Sequence, residues 1–277
     1  YPLGNSAFNG EFLATNNATE LYENYSLDFD GTNQRIELAS ATDFGINSTI
    51  SVWINIDQAF ASVNDIILGY NAEMPLYINN SKIYVDIAAG FKPFYPNSMT
   101  KEIWYNITIV RTGDSVEVFQ DGVSLGTQTG YGTTVNTFLN YIGSRQYGGF
   151  GFDGKISNVS LYNSALTSAQ VTTLYNSGKT FDLNTFAVTP VAWWRLGASG
   201  SSFNGTDWTV LDEIGTNNGT SVNMTQAALV DGVGATGNGV SSGMSSGTNK
   251  TGDAPYSTSN SVSYNMSVTA ESTSVPT

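Results

Sequence analysis

The sequence has no cysteine and no histidine among its 277 residues. Without thiolate or imidazole there is no cysteine nucleophile, no Ser-His-Asp triad, no disulfide staple and no Cys- or His-ligated zinc. Any metal would have to be a hard ion held by oxygen, calcium first among them. Charge is scarce as well: Asp, Glu, Lys and Arg make up 12% of the chain, about half the ~25% usual in a soluble domain. Ten basic residues against 23 acidic ones leave a formal net charge of −13, and no stretch clusters Lys or Arg. A nucleic-acid backbone or an anionic membrane surface needs a basic footprint, so neither is an expected partner. No apolar run approaches the ~20 residues of a spanning helix, so no membrane insertion is expected. The chain opens on Tyr1 rather than Met and reads as a processed product or a fragment, in which a signal peptide would not show.

What is present points to strands. Apolar residues make up 40% of the chain and aromatics 12%, enough for a packed core. Residues 1–24 form a polar lead-in. From Tyr25 the chain alternates: Ile50, Val52, Ile54 and Ile56 share one face, then Ile83, Val85 and Ile87, then Ile107 and Ile109, then Val116 and Val118. Asp30-Gly31, Asn79-Asn80, Gly113-Asp114 and Asp121-Gly122 punctuate these runs, the pattern of antiparallel hairpins. Ile50, Val52, Ile54, Ile83, Val85, Ile107, Ile109 and Val118 are the expected core. One helix is predicted over 168–176, from the capping box Thr167-Ser168-Ala169-Gln170 to Gly178 at C′, packed at the sandwich edge. Val191–Leu196 is a strong strand signal and Trp208 to Ile214 a second. From about 215 the Gly, Ser, Thr and Asn content reads as a tail, or as a segment ordered against something else.

Leu27-Asp28-Phe29-Asp30-Gly31, Thr49 to Ile54, Trp104 to Thr108, Val118 to Gly122 and Phe152 to Ile156 appear in order and lead to Leu161-Tyr162-Asn163 and the capped helix. Together they resemble the concanavalin A-like, laminin-G-like jelly roll. The resemblance implies an all-β sandwich of two antiparallel sheets with one short helix, over 25–179, followed by a β-rich extension over 180–277. Trp193-Trp194-Arg195-Leu196 and Asp212 to Thr220 resemble the opening strands of a second such unit. An intact jelly roll plus a truncated opening and a Gly/Ser/Asn tail resembles the C-terminal ends of virion proteins from marine bacteriophages. The extension is therefore expected to dock on the jelly roll or on a neighbouring subunit, its tail ordered only by assembly.

The Glu-x-Asp-x-x-Glu strand of β-glucanases is missing, and Asp212-Glu213 are adjacent and would point to opposite faces of a strand, so no catalytic residue is assigned. Asp30, Asn33, Asp114, Asp121 and Asp153 sit in turns and could supply oxygen ligands; each also has a turn-forming role, no calcium loop motif is formed, and structural calcium is an expectation resting mostly on the resemblance. The sequons at Asn106 and Asn158 fall inside strands. Lectin-type sites stack rings on sugar faces, and the aromatic loop segments Tyr70-Asn71, Phe91 to Tyr95 and Tyr147 to Phe150 suit that chemistry. Tyr70, Asn71, Tyr95, Tyr147 and Phe150 are thus the candidate ligand-binding residues. The expected function is a non-enzymatic structural and adhesive protein on a virion surface, a capsid decoration or fibre. Its expected partners are other subunits, in a homo-oligomer or larger assembly, and a surface glycan. A secreted or cell-surface bacterial adhesin is the alternative, and a glycan-degrading enzyme the third reading.

Overall fold

The structure, a computed structural model, describes residues 25–57, 64–71, 73–87, 90–134, 136–197 and 200–233. The polar lead-in and everything beyond 233 lie outside the described residues. The strands run in chain order as β1 (Tyr25–Asp30), β2 (Arg35–Gly45), β3 (Asn47–Ile56), β4 (Asp65–Tyr70), β5 (Glu73–Asn79), β6 (Lys82–Ile87), β7 (Gly90–Phe94), β8 (Trp104–Thr112), β9 (Ser115–Gln120), β10 (Val123–Thr129), β11 (Thr137–Ile142) and β12 (Asp153–Tyr162). Helix α1 (Ser168–Tyr175) follows, then β13 (Ala192–Trp194), β14 (Ser201–Phe203), β15 (Trp208–Val210), β16 (Gly219–Val222) and β17 (Leu229–Asp231). They form two antiparallel sheets. The back sheet has the order β10-β9-β8-β3-β12-β1-β17, with β13 also on β12; the front sheet has β14-β15-β16-β2-β11-β4-β5-β6-β7.

The period-two pattern of β3 sets its register. Ile50, Val52, Ile54 and Ile56 enter the core between the sheets, beside Ile83, Val85, Ile107, Ile109 and Val118. Each such side chain contributes ~1.5–3 kcal/mol by leaving water. Ser51 and Asn55, on the other face of β3, are buried too, because α1 lies on the outer face of the back sheet rather than at the sandwich edge. Leu166, Val171 and Leu174 pack there with Val110, Phe119, Tyr162, Leu183, Phe186 and Trp193 as a second apolar cluster, and Trp53 stacks on Tyr175 at 5.8 Å. Polar residues under this cover pair with one another: Asn106 Nδ2 donates to Ser51 Oγ at 3.1 Å and Thr108 Oγ1 to Asn106 Oδ1 at 3.0 Å. Asn106 is fully buried, which closes that sequon to a glycan. The helix carries the expected capping box on Thr167, but its left-handed cap is Asn176 rather than the glycine at 178. Asn tolerates that conformation, so the helix ends two residues before the glycine.

The C-terminal strands belong to the same sandwich. β13 pairs with β12 at Val159–Leu161, in line with β1, which pairs at Asp153–Ile156. The change of neighbour falls at a register shift in β12, where Asn158 takes a positive φ of 48°. β16 pairs with β2, and β17 with β1. Strand alternation splits the adjacent tryptophans: Trp193 joins the outer cluster, and Trp194 the main core along with Trp208, Val210 and Met224. Each indole N–H finds an acceptor, Asn158 Oδ1 at 3.2 Å for Trp193, Asn217 O at 2.8 Å for Trp194 and Thr225 O at 2.8 Å for Trp208. Residues that resemble the opening of a second unit, and the stretch 215–233 read as tail, therefore complete the first sandwich. Their few apolar side chains suffice because they share a core already built. Asp212 is a buried turn carboxylate accepting from the Trp193 and Gly215 N–H groups, both at 3.0 Å. Among the described residues, no helix is long and apolar enough to cross a membrane.

Candidate functional site on the front sheet

The outer face of the front sheet carries no second apolar cluster among the described residues, unlike the back sheet. Its chemistry follows from one hairpin. Asn80 and Ser81 both take positive φ, 47° and 59°, as a two-residue type I′ turn requires. That turn sets Asn79 opposite Lys82 and Tyr77 opposite Tyr84. Ile83, Val85 and Ile87 point into the core, so Lys82, Tyr84 and Asp86 point outward. β7 adds Phe91 beside Asp86 and Pro93 beside Tyr84. Proline is tolerated there because β7 is an edge strand.

The rings stack in series. Tyr77 and Tyr84 lie 4.9 Å apart and 8° from parallel, and Tyr84 and Phe91 lie 6.2 Å apart at 28°. Exposure rises along the ladder, from 5% at Tyr77 to 64% at Phe91. Burial pushes the Tyr77 hydroxyl up to about 12, with Asp86 and Tyr84 adding to it, so it stays a neutral donor. Burial also raises the Asp86 carboxyl above its usual range. At one end of the face the Lys82 ammonium sits 5.2 Å from the centroid of the Tyr95 ring, which is 67% exposed.

A loop, residues 143–151, bounds the other side. It doubles back over the outer face of β4, where Gly69 leaves room for it: a Cβ there would collide with Ser144 O. Gln146 N–H donates to Asn71 O at 3.0 Å, and Ile66 N–H to Phe150 O at 3.0 Å. Phe150 holds a positive φ of 56°, uncommon for an aromatic residue, with the Arg145 guanidinium 5.1 Å from its ring centroid. Among the described residues Tyr147 is the most exposed large ring, at 81%. Tyr70 stacks on Phe138 at 4.9 Å.

The structure thus sets Tyr70, Asn71, Tyr147 and Phe150 on or beside this loop. Tyr95 stands across the face from them, past the ring ladder. Phe91 to Phe94 is strand rather than the expected loop, so Phe91 lies on the sheet face. Sequence reasoning missed Tyr77, Tyr84, Lys82 and Asp86 as site residues. The signal was available: Tyr77 and Tyr84 are equidistant from the Asn80-Ser81 turn and so must face each other. At the opposite end of the sandwich an open groove of about 380 Å³ is lined by Asp43, Gly45, Ile46, Asn47, Asn136 and Asn163, without a ring.

Among the described residues, no three acidic side chains converge as a metal site. The turn carboxylates serve backbone amides instead. Asp114 accepts from Gly130 and Gly132 N–H at 2.9 and 2.7 Å, which holds it below the usual carboxylate range, and Asp121 accepts from Asn106 N–H at 2.8 Å.

A family model for the concanavalin A-like lectin/glucanases superfamily matches residues 30–172. The chain belongs to this superfamily. Within the concanavalin A-like fold, a Bacteroides ovatus protein proposed to bind carbohydrate is similar at 17% identity and a TM-score of 0.58, over 76% of this chain and 60% of its own. The chain therefore spans three-fifths of that protein's length. A heptameric pentraxin from Limulus polyphemus is similar at 16% identity and a TM-score of 0.47, over 55% of this chain and 82% of its own. At 17% identity the likeness to the Bacteroides protein is one of fold. No curated protein matches the chain.

Proposed function

We propose that this protein is a non-enzymatic carbohydrate-binding module whose site is the outer face of the front sheet. The stacked ladder Tyr77–Tyr84–Phe91 carries the reading. Three rings stacked in series by strand register hold one another rigid and end in Phe91, 64% exposed, whose outer face is open to a sugar, with Asp86 and Lys82 beside the ladder for hydroxyl groups. The fold likeness to the Bacteroides protein agrees with it. Glycoside hydrolysis needs two carboxyl groups flanking one bond, and Asp86 is the one carboxylate set in the ladder, so binding without turnover is the reading.

The module is proposed to act on a virion surface, as a capsid decoration or fibre assembled with other subunits. Support comes from the resemblance of the Trp193–Leu196 and Asp212–Thr220 segments and the Gly/Ser-rich remainder to virion proteins. A secreted or cell-surface bacterial adhesin is the alternative, favoured by the Bacteroides likeness. Locating the native protein on purified virions or in an envelope fraction separates the two.

Glycan-array screening followed by calorimetry tests the site. Phe91→Ala is expected to weaken binding at least about tenfold, ~1.4 kcal/mol, with unchanged thermal stability, since the ring is largely exposed. Equal affinity of Phe91→Ala and Tyr84→Ala with the parent would move the site elsewhere. Hydrolysis of a bound glucan that vanishes with Asp86→Asn would overturn the non-enzymatic reading.

A further inference from the structure

We infer that the ring ladder selects polysaccharides bearing carboxylate groups, uronic acids above all, and that Lys82 reads the carboxylate. This rests on the carbohydrate-binding reading above and names the class of glycan.

This acid-rich chain has ten basic residues. Five of them are held in ion pairs or hydrogen bonds. Arg35 pairs with Glu37 and Lys155 with Asp57, both at 2.6 Å, and Lys101 pairs with Glu102 at 3.3 Å. Arg111 is buried and donates to Thr137 Oγ1 and two backbone carbonyls. Lys92 donates to Thr129 O across the seam between β7 and β10. Lys82 differs. Among the described residues it makes no ion pair with a carboxylate, and its ammonium rests over the exposed Tyr95 ring. An ammonium held over an aromatic face keeps its outer donors for a further anion.

Its position relative to the ladder gives it a task. Lys82, Tyr84 and Asp86 alternate on one strand and share its outer side, so the backbone positions of Lys82 and Asp86 stand about 6.6 Å to either side of that of Tyr84. A sugar chain packed against Phe91 and laid across the rim of Tyr84 can donate a hydroxyl to Asp86 at one side and present a ring carboxylate to Lys82 at the other. A neutral glycan would leave Lys82 paired with water alone. A densely sulfated chain would set anions against Asp86 as well as Lys82. One carboxylate per sugar, with free hydroxyls between, meets both ends.

The test uses the full chain and three probes: polygalacturonate, the same polymer with its carboxyls methyl-esterified, and the neutral glucan laminarin. Affinity electrophoresis or calorimetry at low and high salt is expected to show the acid form bound about fivefold more tightly than the ester, the scale of one exposed ion pair. Salt should erase the difference. Lys82→Gln should bind acid and ester equally, and Lys82→Arg should keep the preference. Equal, Phe91-dependent binding of acid and ester by the parent chain would sink the carboxylate inference and leave carbohydrate binding standing. Failure to bind any of the three probes would count against both.

Discussion

Asp65 opens β4 with 8% of its surface exposed. Burial pushes its carboxyl up to about 6 from 3.8, and the Asp153 charge adds to the rise. The folded state then holds a proton that the unfolded chain gives up near pH 4, so the contribution of this group to stability is fully present below that pH and is lost as pH rises through about 6. Asp65→Asn should raise stability at neutral pH, by at most about 3 kcal/mol, and flatten the fall; urea titrations at pH 4 and pH 7 check this, and an equal effect at both would show that the carboxyl is not strained. The candidate site shows what single residues reveal in sequence. Tyr147 and Phe150 stand out because Gly148 and Gly149 separate them in an evident loop. Tyr77 and Tyr84 read as ordinary strand residues, and only the pairing across Asn80-Ser81 makes them one surface.

At the scale of the element, β3 illustrates both the reach of pattern and its limit. Its alternation gives the inner face directly. The burial of Ser51 and Asn55 depends on α1 and residues 179–190, more than a hundred positions later in the chain, and no local signal carries that contact. The same holds for the 143–151 loop, whose course over β4 is set by the absence of a side chain at Gly69. Gly69→Ala should therefore lift the loop from the sheet at a cost of about 1–3 kcal/mol. Hydrogen exchange is expected to quicken over residues 144–150 and to stay slow in β3; unchanged exchange in the loop would show that it bends clear of the methyl group.

For the molecule as a whole, the family match ends at residue 172, yet β13, β16 and β17 continue both sheets. The sequence made this region look too poor in apolar residues to fold, which is true of it in isolation; its tryptophans spend their area on a core supplied by the first half. A chain ended at Gly178 should lose Trp194, Trp208 and Val210 from the core and expose the edges of β1, β2 and β12. It is expected to aggregate or bind a hydrophobic dye, whereas one ended at Val233 stays soluble; a soluble monomer ending at 178 with the parent's melting temperature would refute that dependence. One more consequence lies in the seam between β1 and β17. Tyr25 pairs with Asp231 there, and Ser26 Oγ donates to Asp231 O at 3.0 Å, so the sandwich opens and closes its covalent path at one corner. Tension applied between residues 25 and 231 would load the β1–β17 hydrogen bonds one after another, like a zip, instead of all at once. In an optical trap the seam should yield at low force when pulled at these two residues and resist when pulled at residue 25 and the far tip of the sheet. A module held under tension through that corner would part at this seam first and leave the rest of the sandwich intact.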